Sequence, residues 1–171
     1  LAAIKADAKL TPLGILLPRH GELSLYFARS ALTSDFIVDV VELWWQGVRG
    51  RFPKVRKLLV NQDNGPENSS RRTQYVKRLA AFAASSGVEV RLACYPPYHS
   101  KYNPIERCWG VLERHWNGAL LSSVAEVLRW AGTMTWRGLR PIIRETAKVY
   151  ERGVRLTKAA FRPIAERLAR S

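Results

Sequence analysis

Cysteine and histidine are scarce in this chain, with two and three residues, and acidic residues are outnumbered two to one by basic ones. Cys94 and Cys108 are too few and too widely set for a zinc finger or ribbon. The pair leaves two readings, one disulfide or two buried free thiols in a reducing compartment. No stretch reaches the roughly 20 consecutive apolar residues that cross a bilayer, which excludes a helical membrane span. The opening segment, Leu1 to Leu17, lacks the charged start and cleavage pattern of a secretory signal. Heptad repeats, low-complexity runs, glycine-rich phosphate loops and a Ser-His-Asp order are also missing, so coiled coils, nucleotide-binding loops and serine hydrolases find no support.

What the chain does have is a core and a charge. Its 171 residues are 47% hydrophobic and 25% charged, the balance of a folded domain. Against 14 Asp and Glu stand 28 Lys and Arg, a formal net charge of +14. Such an excess points to a polyanionic partner, nucleic acid first, because each cation that meets a phosphate releases condensed counterions.

Periodicity supplies the elements. Leu13–Leu17 and Leu23–Phe27, joined across Pro18 to Glu22, read as a β-hairpin. Ser34 is expected to cap a helix carrying Phe36, Ile37, Val40, Val41, Leu43 and Trp44 and ending near Gly47 or Gly50. Lys57 to Val60 reads as a buried strand closed by the turn Asn64-Gly65. Arg71 to Ser86 predicts an amphipathic helix with Tyr75, Val76, Leu79, Phe82 and Ala83 inward, Arg71, Arg72, Lys77 and Arg78 outward, and Gly87 as its stop. Val88, Val90 and Leu92 alternate as a strand with one solvated face. Asn103 then opens a helix to about Trp116. The order β-β-α-β-α-β-α is that of an α/β layered sheet. From Asn117 onward the pattern reads as helical, with a capping box at Ser123 to Glu126 and helices after Pro141 and Thr157. This last part holds 11 Lys and Arg against 4 acids. The expected division is therefore a core over 1–116 and a basic helical extension over 117–171.

Two segments carry candidate chemistry. In Asn61-Gln62-Asp63-Asn64-Gly65-Pro66-Glu67-Asn68, Asp63 lies just past the carboxyl end of a strand, where open α/β sheets place their sites. Taken alone, an Asx-type turn is the better account of Asp63 and Asn64. In Tyr95-Pro96-Pro97-Tyr98-His99-Ser100-Lys101-Tyr102-Asn103-Pro104-Ile105-Glu106, the last residue falls at the third helical position after an Asn cap and a Pro, so capping alone explains it. His99, Lys101 and Arg107, with Arg71 and Arg72, are candidate phosphate contacts or else solvated side chains. Glu113, seven residues after Glu106, shares its helical face and is an auxiliary acid or a surface one. The six tryptophans offer base-stacking faces or core packing.

Taken together, Asp-Asn-Gly-Pro-Glu-Asn and Tyr-Pro-Pro-Tyr-His-Ser-Lys-Tyr-Asn-Pro-Ile-Glu-Arg-Cys-Trp resemble the DDE transposases of bacterial insertion sequences. The second string is also similar to the Asn-Pro-Ile-Glu segment of mariner-type transposases. The Rhodopirellula-type DDE transposase family is the nearest resemblance, running from about Pro12 to beyond Trp136 and including Ser34 to Asp39 and Leu43-Trp44-Trp45. The resemblance implies a ribonuclease H-like mixed sheet flanked by helices. It implies carboxylates holding two Mg²⁺ ions, replaceable by Mn²⁺, for in-line displacement at phosphorus. It also implies DNA as partner, with transposon ends and target both bound, a homo-oligomer on DNA, and a bacterial cytoplasmic, nucleoid-associated setting. Asp63 matches the second acid of the triad and Glu106 the third, with 42 residues between them.

One departure stands out. The first acid should lie on a strand ahead of the hairpin, yet Asp7, the sole acid before Leu13, matches no such motif. The expectation is that the first strand and its Asp are absent, and that this chain alone is inactive. A non-catalytic basic DNA-binding or assembly module, or a decayed transposase remnant, is the alternative.

Overall fold

The computed structural model describes residues 10–63, 65–69, 71–95, 102–119 and 121–168. They form β1 (Thr11–Leu17), β2 (Glu22–Ala28), α1 (Ser34–Val48), a single 3₁₀ turn at Arg49–Arg51, β3 (Lys57–Gln62), α2 (Thr73–Ser86), β4 (Glu89–Cys94), α3 (Pro104–Trp116), α4 (Val124–Thr133), β5 (Ile142–Thr146) and α5 (Lys158–Leu168). Up to α3 this is the order that the hydrophobic periodicity predicts. The mixed α/β architecture agrees with the ribonuclease H-like class.

The chain divides into two compact units. One comprises Leu1–Ala31 with Tyr98–Tyr150, the other Leu32–Pro97 with Glu151–Ser171. In the first unit β1 and β2 form the expected hairpin, antiparallel from Thr11 opposite Ala28 to Leu17 opposite Glu22. β5 joins the other edge of β2 in parallel, which gives a mixed three-stranded sheet ordered β1-β2-β5. Leu23, Leu25 and Phe27 of β2 pack with Cys108 and Leu112 of α3 and Val127 and Ala131 of α4 in one buried cluster. Gly14 of β1 lets α3 come close, since a Cβ there would stand 2.9 Å from the Trp109 ring and 3.0 Å from Ile105 Cδ1. Ile105 and Trp109 are four apart, on one helical face, and that contact seats the helix that carries Glu106.

In the second unit β3 and β4 run parallel, paired from Lys57 with Glu89 to Gln62 with Cys94. The helix between them, α2, buries Tyr75, Leu79 and Phe82 as the periodicity predicts. Gly87 ends it in the left-handed region, φ 71°, donating its N–H to the Ala83 carbonyl. Arg78 reaches from α2 to α1, with Nη1 on Asp35 Oδ1 at 2.7 Å and Nη2 on Asp39 Oδ1.

Several local expectations are corrected. Thr33, not Ser34, caps α1, accepting from the Phe36 N–H at 3.1 Å. That leaves the Ser34 hydroxyl free to donate to the Glu67 carbonyl at 2.7 Å. Arg78 does not point outward as a solvated cation but is drawn in by two α1 carboxylates. The strand over Lys57 to Val60 is only half-buried, and Leu59 is 64% exposed, because among the described residues β3 pairs with β4 alone. Residues after Pro141 form strand β5 instead of a helix. Ile142 and Ile143 are stiff β-branched residues, and the open edge of β2 supplies the ladder that sequence periodicity cannot see. Cys94 is exposed at the end of β4, whereas Cys108 is buried, and both thiols are free. The α4 capping box is present as read, with Ser123 Oγ accepting from the Glu126 N–H and the Glu126 carboxylate accepting from the Ser123 N–H.

Candidate metal centre and nucleic-acid interface

Asp63 follows the last residue of β3, at the carboxyl end of the parallel pair, and its side chain is exposed. The loop after it, described at 63 and 65–69, is held at several points. Gln62 is buried, and its Nε2 donates to the Asn68 carbonyl at 2.7 Å. Tyr75 of α2 donates its hydroxyl to Gln62 Oε1 at 2.5 Å. Burial pushes the Tyr75 hydroxyl well above its ordinary range, so it stays a proton donor. Further along, Glu67 is gripped twice, by Ser34 at its carbonyl and by Arg72 Nη2 at its carboxylate, 3.2 Å away. The Asn68 side chain turns back and donates Nδ2–H to Asp63 Oδ1 at 2.8 Å.

Gly65 completes this arrangement. A Cβ on residue 65 would stand 3.0 Å from Asn68 Oδ1, and 3.7 and 3.8 Å from the two Asp63 carboxylate oxygens. The bare backbone thus keeps open a cradle beside an exposed carboxylate. Carboxylate oxygen is the donor that hard divalent cations prefer, so Asp63 suits such an ion. Among the described residues no group of three His, Cys, Asp or Glu side chains gathers as a cation site.

Glu106 belongs to the other compact unit, exposed in the first turn of α3. Pro104 occupies the start of this helix as read, and the Glu106 N–H donates to the Asn103 carbonyl at 3.0 Å. The Asn103 side chain, however, makes no capping bond. The Asn half of the reciprocal box that closes at Ser123 is thus absent at the start of α3.

Arg107 and Arg71 are exposed, while Arg72 is engaged with Glu67. His99 and Lys101 lie outside the described residues, as does Asp7. Glu113 is exposed on α3. None of the six tryptophans is exposed, and Trp109, Trp116 and Trp136 pack against the core of their unit, which favours packing over base stacking. Sequence reasoning passed over Gln62, Asn68 and Tyr75. Asn68 was visible only as the end of a motif, and Tyr75 only as a core residue.

No helix among the described residues is long and apolar enough to cross a membrane. No curated protein and no solved structure matches the chain. The family model described as the Rhodopirellula transposase DDE domain matches residues 3–170. Matched over nearly its whole length, and carrying both of the acidic motifs described above, the chain belongs to the Rhodopirellula transposase DDE domain family.

Proposed function

We propose that this chain provides the second and third acids, Asp63 and Glu106, of a divalent-metal site that cleaves and joins DNA strands. The observation that carries the reading is the carboxylate of Asp63, exposed at the carboxyl end of a parallel strand, held by Asn68 and facing the space that Gly65 leaves. A divalent cation such as Mg²⁺ or Mn²⁺ held by these acids would supply activation of water or a DNA 3′-hydroxyl and stabilisation of the leaving oxygen in an in-line displacement. The chain's own share is to present carboxylate oxygens and to bind the DNA. Asp63 and Glu106 supply negative charge to hold the ions, Arg71, Arg72, Arg107 and Lys101 offer positive charge to the phosphates, and His99 offers a ring nitrogen. The net charge of +14 supports a DNA partner. Assembly as a homo-oligomer on transposon ends, in a bacterial cytoplasm, belongs to the same reading.

Metal-dependent nicking of supercoiled DNA tests this. The chain is compared with a form extended upstream, and in each form with Asp63→Ala and Glu106→Ala. The expected result is cleavage by the extended form in Mg²⁺ or Mn²⁺, abolished by either substitution. DNA binding that ignores metal and both substitutions, without cleavage in either form, would instead leave a non-catalytic DNA-binding module.

A further inference from the structure

Resting on the reading of Asp63 as a metal ligand, we infer that Asn68 is a positioning residue that fixes the Asp63 carboxylate through a buried relay from Tyr75 and Gln62. The relay has a direction. The Tyr75 hydroxyl donates to Gln62 Oε1, which decides the orientation of the Gln62 amide. Its Nε2 then faces the Asn68 carbonyl at 2.7 Å and ties the far end of the loop to the end of β3. Thus anchored, Asn68 returns its own Nδ2–H to Asp63 Oδ1 at 2.8 Å. Tyr75 is 1% exposed and Gln62 8%, so both lie in the core and cannot themselves reach a ligand. Asn68 is half-buried and Asp63 exposed, so the relay runs outward from packed core to open carboxylate.

The chemistry follows from the geometry. A lone exposed aspartate rotates about two side-chain bonds, and a cation that binds it must arrest that rotation. The Asn68 bond occupies Oδ1 from one side and restricts the carboxylate before any ion arrives, as partners of metal ligands commonly do. Gly65 keeps the pair accessible, since any side chain there would crowd Asn68 Oδ1.

The test is a Mn²⁺ titration of the full chain followed by paramagnetic broadening of the Gly65 and Asn68 amide signals, a readout independent of catalysis. Asn68→Ala is expected to raise the Mn²⁺ concentration for half-broadening by about ten-fold or more. Asn68→Gln, which returns an amide N–H donor on a longer stem without adding a strong metal ligand, is expected to recover part of that loss. Tyr75→Phe keeps the ring in the core and removes only the relay's first donor, so it is expected to give a smaller shift in the same direction. If Asp63→Ala abolishes broadening while Asn68→Ala and Tyr75→Phe bind as the unsubstituted chain does, the relay is overturned and Asp63 remains a ligand. Should Asp63→Ala itself leave broadening unchanged, the metal reading on which the relay rests is overturned. An Asn68→Ala chain that loses thermal stability but keeps its Mn²⁺ response would assign Asn68 a purely structural role and likewise sink the inference.

Discussion

A methyl group at position 65 would stand 3.0 Å from Asn68 Oδ1 and within 3.8 Å of both Asp63 oxygens. Gly65→Ala should therefore make Asn68 give way by a few tenths of an ångström and strain its bond to the Asp63 carboxylate. Metal-dependent nicking by the extended form is expected to fall by about ten-fold, with little change in melting temperature. A large loss of stability instead would mean that the loop braces the fold. The two thiols offer a second residue-level test. Cys94 is exposed, while burial pushes the Cys108 thiol from its ordinary 9.0 up to about 11. Iodoacetamide at pH 8 should modify Cys94 and spare Cys108, as read by mass spectrometry. The folded state holds the Cys108 proton more tightly than the unfolded state does. Its contribution to stability is thus full below pH 9 and is lost as pH rises through about 11. Against a Cys108→Ala reference, unfolding midpoints should fall across that window, and equal slopes would contradict the burial argument.

Arg78 ties α2 to α1 through Asp35 and Asp39, and Gln74 adds a bond to Asp35 at 3.0 Å. All three charged side chains are mostly sheltered, so Arg78→Ala leaves two carboxylates facing each other without their cation. A loss of roughly 1–3 kcal/mol in urea unfolding is expected, since hydrogen bonds to charged groups contribute that much. In the other unit Gly14→Val would collide with Trp109 and Ile105, and overpacking of this kind costs roughly 1–3 kcal/mol. Urea unfolding of that variant without a shifted midpoint would mean that α3 is not seated on β1. The elements differ in how plainly their residues announce them. The Ser123 to Glu126 box is written in four adjacent residues, and the α2 face in a repeat of Tyr75, Leu79 and Phe82. β5 is different, because its strand character comes from pairing with Ser24 to Ala28, more than a hundred residues upstream. Local pattern carries no trace of such a partner.

At the scale of the whole molecule, charge and family membership carry the argument. A net charge of +14 predicts DNA affinity that falls steeply as salt rises from about 50 to 200 mM, measurable by fluorescence anisotropy on nonspecific duplex. Affinity indifferent to salt would contradict phosphate neutralisation. The family resemblance was legible because the strings that carry it are compact, and the family match over residues 3–170 agrees with that resemblance. The relay behind Asp63 was not legible, since Gln62, Asn68 and Tyr75 meet only when β3, its loop and α2 are folded together. In the function proposed above, Asp63 and Glu106 hold the same metal ions. The most direct measurement replaces Mg²⁺ by Fe²⁺ in the upstream-extended chain on DNA and adds ascorbate and peroxide, so that hydroxyl radicals cut the backbone beside the bound ion. The account predicts cuts beside both Asp63 and Glu106, lost together in Asp63→Ala and in Glu106→Ala. Cuts at one acid that persist when the other is removed, or cuts at neither, would contradict it.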